Sequence, residues 1–294
     1  MTLNIIKEAP CLLTVGCFCI GTNQVDLEAA LSKGISVFNS PFSNSRSVAE
    51  LIIGEIIALS RQLGDRNTEM HMGTWNKRSA GCYEIRGKVL GIVGYGHIGA
   101  QLSVLAEAMG MRVIFYDVAQ IMPLGSAIQT RSLNELLRGA DFVTLHVPEL
   151  PSTMEMIGER ELALMKPGSF LLNASRGRVV QLDALKEALK SGHLAGAALD
   201  VYPLEAESNG DFWADRELAS LSNVILTPHI GGSTEEAQAA IGSEVAIAMV
   251  KFLNTGSSMG SVNFPEVDLK AARMPVGQSS RFLCRLLNVH HNVP

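Results

Sequence analysis

Short apolar runs of strand length recur along this chain, and most are followed by a stretch whose apolar residues return every three to four positions, the spacing of one helix face. From Lys88 onward the alternation is regular. Strands are expected at 89–93, 112–117, 141–147, 169–174, 194–201 and 223–230, with helices at 97–109, 132–138, 158–165 and 182–190. That order predicts a parallel sheet covered on both faces, a doubly wound α/β domain. Upstream, a strand at 12–20, a helix at 26–32, Gly34 as a stop and a strand at 35–39 make one βαβ unit, too little by itself to cover its sheet edges. Val48, Leu51, Ile52, Glu55, Ile56 and Leu59 predict a long helix over 45–72, read as a bridge between two domains. A polar and aromatic connector at 73–87, containing Trp75, follows it. A further helix is expected from Ser233 through Phe252, after which the pattern loosens. Residues 268–280 read as a linker, and 281–289 restore an apolar run.

One stretch carries more than a fold. Val89 to Val93 is a strand, Gly94-Tyr95-Gly96-His97-Ile98-Gly99 a GxGxxG turn, and the helix begins at once. Gly94 permits a tight turn, Gly96 leaves room for a pyrophosphate and Gly99 lets helix and strand pack closely. The phosphates would sit at the helix N-terminus, where N–H groups and the dipole favour anions. The next strand ends in Asp117, placed to bind a ribose 2′-hydroxyl and to repel a 2′-phosphate. The expected cofactor is NAD rather than NADP.

The 294 residues suit about two domains. A net charge of −5 and a pI near 5.8, with no basic stripe, argue against nucleic acid as a partner. Cys11, Cys17, Cys19, Cys82 and Cys284 are odd in number and lack metal-ligand spacing, so they read as reduced cytoplasmic thiols with no metal site. The run at 12–20 is short for a signal peptide and lacks a small-residue cleavage site; it reads as a core strand. No apolar run approaches the ~20 residues that span a bilayer, so no membrane partner is expected.

In open α/β sheets ligands bind beyond the carboxyl ends of the strands. Polar residues cluster there: His146-Val147-Pro148, Asn173-Ala174-Ser175-Arg176-Gly177, Asp200 to Glu205, and Thr227 to Gly232. Oxidising an alcohol by hydride transfer needs a base for the hydroxyl proton, and His229 is of the right type. Glu205 would orient its ring and stabilise the imidazolium, and Arg176 would grip a substrate carboxylate with paired hydrogen bonds.

GYGHIG at 94–99, NASRG at 173–177, DVYPLE at 200–205 and TPHIGGST at 227–234 resemble the D-isomer-specific 2-hydroxyacid dehydrogenases. GCFCIGTNQVDLEAA at 16–30, SRSVAELIIGE at 45–55 and SVNFPEV at 261–267 look like the branch of that family that oxidises 3-phospho-D-glycerate to 3-phosphooxypyruvate, the first step of L-serine biosynthesis. The resemblance implies Arg176, Glu205 and His229 as the catalytic set. It implies NAD contacts at His97, Ile98, Asp117, Ala174, Ser175, Arg176, Asp200, His229, Gly231 and Gly232, beside Gly94, Gly96 and Gly99 and the strand end His146, Val147 and Pro148. It also implies a phosphorylated hydroxy acid as substrate, 2-oxoglutarate reduction as a second activity, and a homo-oligomer, dimer or tetramer, assembled through the segment around Trp75.

Against that pattern the chain reads as truncated at both ends. The N-terminal part of the substrate domain, with its arginine-bearing loop, is missing ahead of Cys17. Residues 281–294 resemble only the first strand of an ACT regulatory domain, with His290 and Asn292 at its serine-contacting positions, so no serine site is expected. The expected layout is a Rossmann NAD-binding domain at 44–231 inserted in an incomplete flavodoxin-like substrate domain, 1–43 with 232–262, then a linker at 263–280 and the ACT remnant at 281–294. Two rival readings share the motifs: an NAD-binding truncated subunit with little or no catalysis, and a dehydrogenase for another D-2-hydroxy acid.

Overall fold

The computed structural model describes residues 1–22, 24–206, 208–210 and 215–267. The linker core at 268–280, the ACT-like strand at 281–294 and Cys284 lie outside them. The described residues form two compact units, one from Met1–Asn44 together with 235–267, the other from Ser45–Thr234. The second unit thus interrupts the first in sequence.

The first unit holds α1 (Leu3–Lys7), β1 (Thr14–Gly16), α2 (Leu27–Ser32), β2 (Ser36–Phe38) and the 21-residue α9 (Glu235–Thr255). β1 and β2 pair in parallel, as a βαβ crossover requires, and Asp26 caps α2 by accepting from the Ala29 amide at 2.9 Å. The expected strand at 12–20 shrinks to its centre. A Cβ on Gly16 would lie 2.6 Å from Met249 Sδ and Val245 Cγ1, so α9 packs directly on the backbone where the strand ends.

The second unit contains α3 (Ser45–Ser60), α4 (Leu63–His71), β3 (Val89–Val93), α5 (His97–Ala108), β4 (Arg112–Tyr116), β5 (Ile128–Gln129), α6 (Leu133–Gly139), β6 (Phe142–Leu145), α7 (Glu159–Leu164), β7 (Ser169–Asn173), α8 (Leu182–Lys190), β8 (Leu194–Leu199) and β9 (Val224–Leu226). Its sheet has seven parallel strands in the order β5-β4-β3-β6-β7-β8-β9. Alternate residues of each strand serve opposite faces. Leu90, Ile92, Phe142, Phe170, Leu172 and Ala198 join α3 and α5 in one core. Val93, Val143, Leu145, Leu171, Ala197 and Leu199 join α6, α7 and α8 in the other. This is the doubly wound sheet, and its strand order reverses between β3 and β6.

The single helix expected over 45–72 is two, both in the second unit. Ile52, Ile56 and Leu59 bury α3, whereas α4 buries nothing, and Gln62 breaks the axis with a φ of +51°. The short edge strand β5 and the helix α1 escape sequence patterning because two and five residues are too few to show a period. No helix among the described residues is long and apolar enough to cross a membrane.

Candidate active site

The glycine turn sits at the point where strand order reverses. Gly94 has a φ of +92°, and a Cβ there would lie 2.4 Å from the His146 carbonyl oxygen, just past β6, so only glycine lets the two strand ends approach. Gly99 is confined by the same oxygen-rich turn, its Cβ position 2.3 Å from Gly94 O. Gly96 is different: nothing lies within 4 Å of its Cβ position, and it begins α5 without any side-chain cap. The cradle is closed behind and open in front, with His97 exposed and Ile98 half-buried in the first turn of the helix. Such an end suits a phosphate anion.

Asp117 is bound to this turn. Its Oδ2 accepts from the Tyr95 amide at 2.9 Å and its Oδ1 from the Ala119 amide at 3.0 Å. Further lone pairs on each oxygen remain for a ribose hydroxyl. Opposite, His146 Nε2 bonds Thr144 Oγ1 at 2.9 Å, while its Nδ1 is buried with no partner among the described residues. Burial pushes its pKa down to about 4, so the ring is neutral at pH 7. Val147 is half-buried against Gly94, and Pro148 is exposed.

Strand register brings the remaining polar segments to one edge. Asn173, Leu199 and Leu226 are paired neighbours in β7, β8 and β9, so the chain leaves all three strands at the same level. After β7, Asn173 Oδ1 accepts from the Ser175 amide and hydroxyl at 3.1 and 2.8 Å, and Asn173 Nδ2 donates to Arg176 O at 3.0 Å. Ala174 is half-buried in this braced turn. Arg176 Nη1 donates to Ser175 O at 2.6 Å.

After β8, Asp200 is fully buried and anchors the segment that follows β9. It accepts from Thr227 Oγ1 at 2.6 Å and from the Ile230 and Gly231 amides at 2.8 Å each. Three donors on a carboxylate make a strong buried constellation. It is why β9 stops at Leu226 instead of running to 230: Thr227 to Gly231 curl around Asp200. His229 stands on that curl with a φ of +54°, and Gly232 follows half-buried. Its Nδ1 lies 2.8 Å from Glu205 Oε2, and Glu205 Oε1 accepts from the Tyr202 amide at 3.2 Å. With Nδ1 donating to the carboxylate, Nε2 is left as the proton acceptor. Both side chains are accessible, His229 at 51% and Glu205 at 38%.

The structure therefore joins His229 and Glu205. It does not join Arg176 to either by a hydrogen bond or ion pair, although Gly177 abuts the backbone of Tyr202 and Pro203 leading to Glu205. Residues the sequence placed at these strand ends without a role brace the set: Asn173, Thr227, and Tyr202, whose hydroxyl lies 3.0 and 3.1 Å from the acceptors Leu199 O and Thr227 O. Burial and the Asp200 charge push the Tyr202 phenol up to about 12, keeping it a donor. Their bracing role shows only in their bonding partners.

Residues 53–231 match the model of the D-isomer specific 2-hydroxyacid dehydrogenase NAD binding domain. The chain belongs to the D-isomer-specific 2-hydroxyacid dehydrogenases. It is 58% identical over 302 residues to D-3-phosphoglycerate dehydrogenase 2 of Saccharomyces cerevisiae, covering all of this chain and 63% of that relative. It is 60% identical over 294 residues to D-3-phosphoglycerate dehydrogenase of Dictyostelium discoideum, again all of this chain and 70% of the relative. The chain thus spans about two thirds of the length of these relatives. Among solved structures it resembles D-lactate dehydrogenase with NAD+ from Lactobacillus jensenii, with a TM-score of 0.78 and 28% identity over 91% of this chain and 82% of that one. NAD is the cofactor of this dehydrogenase domain, and the open Gly96 cradle with Asp117 beside it fits a dinucleotide without a 2′-phosphate.

Proposed function

We propose that the chain is the catalytic part of an NAD-dependent D-3-phosphoglycerate dehydrogenase, oxidising 3-phospho-D-glycerate to 3-phosphooxypyruvate at the first step of L-serine biosynthesis. The observation that carries this reading is the His229–Glu205 pair at 2.8 Å on the carboxyl edge of a dinucleotide-binding sheet. The names of the yeast and Dictyostelium relatives support the choice of substrate. NAD, when bound, would supply the hydride acceptor for the alcohol carbon.

The chain's own residues do the rest. Gly94, Gly96, His97, Ile98 and Gly99 hold the pyrophosphate and Asp117 the ribose. His146, Val147, Pro148, Ala174, Ser175, Asp200, Gly231 and Gly232 line or brace the remainder of the cofactor site. His229 Nε2 removes the hydroxyl proton, a role worth about 10²–10⁴-fold in rate. Glu205 holds the ring through Nδ1 and stabilises the imidazolium that forms. Arg176 exchanges its bond to Ser175 O for paired bonds to the substrate carboxylate. The Met1–Asn44 unit with its α9 forms part of a substrate domain.

A second copy of the chain covers the segment from α4 through Tyr83. Support comes from exposed apolar side chains, Leu63 and Met70 on a helix that buries nothing and Met72, Tyr83 and above all Trp75 at 78% exposure in the segment after it. A homo-oligomer in the reducing cytoplasm accords with these and with free Cys11, Cys17, Cys19 and Cys82. The test is direct: purified protein with 3-phosphoglycerate and NAD should produce NADH absorbance, with D-lactate, and 2-oxoglutarate plus NADH, as comparison substrates. Normal NAD binding without turnover of phosphoglycerate at any pH refutes the assigned activity.

A further inference from the structure

One buried ionisable group near the site has no part in the reaction above: Glu55 on α3. Val48, Leu51 and Glu55 succeed one another at the three- and four-residue spacing of a helix face. The first two touch the catalytic turn: the Cβ position of Gly231 is 3.4 Å from Val48 Cγ2, 3.7 Å from Leu51 Cδ2 and 2.9 Å from Asp200 Oδ2. The turn that carries His229 is therefore held between α3 and the Asp200 carboxylate. Glu55 continues that face inward. It is 5% exposed, and its Oε1 has no hydrogen-bond partner among the described residues.

Two carboxylates buried within reach of one another do not both ionise readily. Asp200 accepts from three donors. Glu55 has none, and burial together with the Asp200 charge pushes its pKa up to about 8. Tyr202 is the other titratable group that feels both acids. The strands β7, β8 and β9, against which α3 packs, contribute no titratable side chain within their spans. On α5, Glu107 is engaged with Ser126, and His97 is exposed at the helix start. On α4, Asp65 accepts from the Asn223 amide, Arg66 pairs with Glu69, and His71 is exposed in the last turn.

We propose that Glu55 is a positioning residue for His229, acting through Asp200: its carboxyl backs the Asp200 carboxylate, and placing a charge there disturbs the turn from Thr227 to Gly231. A second negative charge behind Asp200 opposes the ionised state that its three donors require, so the turn loosens and His229 leaves its place beside Glu205. The proposal rests on the role given to His229 above, and its test separates the two.

The experiment follows the imidazole of His229 by NMR in the full chain with NAD bound, labelled at histidine, from pH 6 to 9.5, in wild type and in Glu55→Gln. Glutamine keeps the size of the side chain and stays neutral, which guards against a merely unfolded variant. Wild type should show an inflection near pH 8 that Glu55→Gln lacks. In turnover, Glu55→Gln should match wild type within about twofold at pH 7. At pH 9, where about nine-tenths of Glu55 is ionised, it should exceed wild type by about tenfold in kcat. The same inflection in both proteins, or equal kcat at pH 9, overturns the positioning role. Failure to oxidise phosphoglycerate leaves the NMR result standing and counts against the assigned activity alone.

Discussion

Gly94 and Gly96 lie two residues apart in one turn, and the structure gives them opposite vulnerabilities. At Gly94 a methyl group meets backbone, 2.4 Å from His146 O and 2.8 Å from its carbon, in a conformation with φ at +92°. The dihedral alone costs about 1–3 kcal/mol in a non-glycine residue, and overpacking against a strand end that cannot rotate away adds about 1–3 more. Gly94→Ala should therefore lose about 2–6 kcal/mol of stability. At Gly96 φ is −76° and a methyl group meets nothing within 4 Å, so Gly96→Ala should fold within about 1 kcal/mol of wild type. That empty space is where the cofactor's pyrophosphate belongs, so NAD affinity should drop at least tenfold. Urea unfolding with and without NAD reads both effects. At a concentration about 100 times the wild-type Kd, NAD should add about 2.7 kcal/mol to wild type and about 1.4 kcal/mol or less to Gly96→Ala. Titration of NADH fluorescence measures the affinity independently. If Gly96→Ala binds like wild type, or loses as much stability as Gly94→Ala at an unchanged m value, the account of an open-fronted cradle is wrong.

Other outcomes follow from the same geometry. His229→Ala should lower kcat by about 10²–10⁴ while leaving the Kd for NAD within about twofold, and Glu205→Gln should lower it less; an intact rate in the first would require another base. Asp117→Ala removes both the repulsion of a 2′-phosphate and the bond to Tyr95 N, so NAD should bind more weakly and the preference for NAD over NADP in kcat/KM should narrow by about tenfold or more, 1.4 kcal/mol. His146 titrates at about 4 when folded against 6.5 when unfolded, so between those values the unfolded chain binds the extra proton. Its contribution is full above pH 6.5 and is lost as pH falls toward 4, about 2 kcal/mol of it by pH 5. The fall in unfolding free energy from pH 7 to pH 5, read by urea titration, should be smaller in His146→Gln by that amount, and an equal fall in both proteins refutes a buried neutral ring.

Much of this molecule can be read along the chain because its signals are local. An apolar strand, a glycine turn and a helix start fall within Val89–Ala108, and the strand-length run, the positive φ at Gly94 and the helical spacing are set by residues of that stretch, although β4 and β6 complete the strand's hydrogen bonds. The doubly wound sheet follows from repeating such units. Periodicity failed where burial changed without a change in period: α3 and α4 share helical spacing, but only α3 has a sheet to lie on, and Gln62 turns the chain between them. His229 and Glu205 were legible as residue types at strand ends, yet their 2.8 Å contact exists because Asp200 winds Thr227, Ile230 and Gly231 around a buried charge. Glu55 shows the limit most plainly. Along the sequence it is a polar residue in an apolar helix face, and its protonation depends on a carboxylate from β8 that packing alone brings near. Hydrogen-bond periodicity is a property of neighbours in the chain, whereas desolvation and charge coupling are properties of neighbours in space.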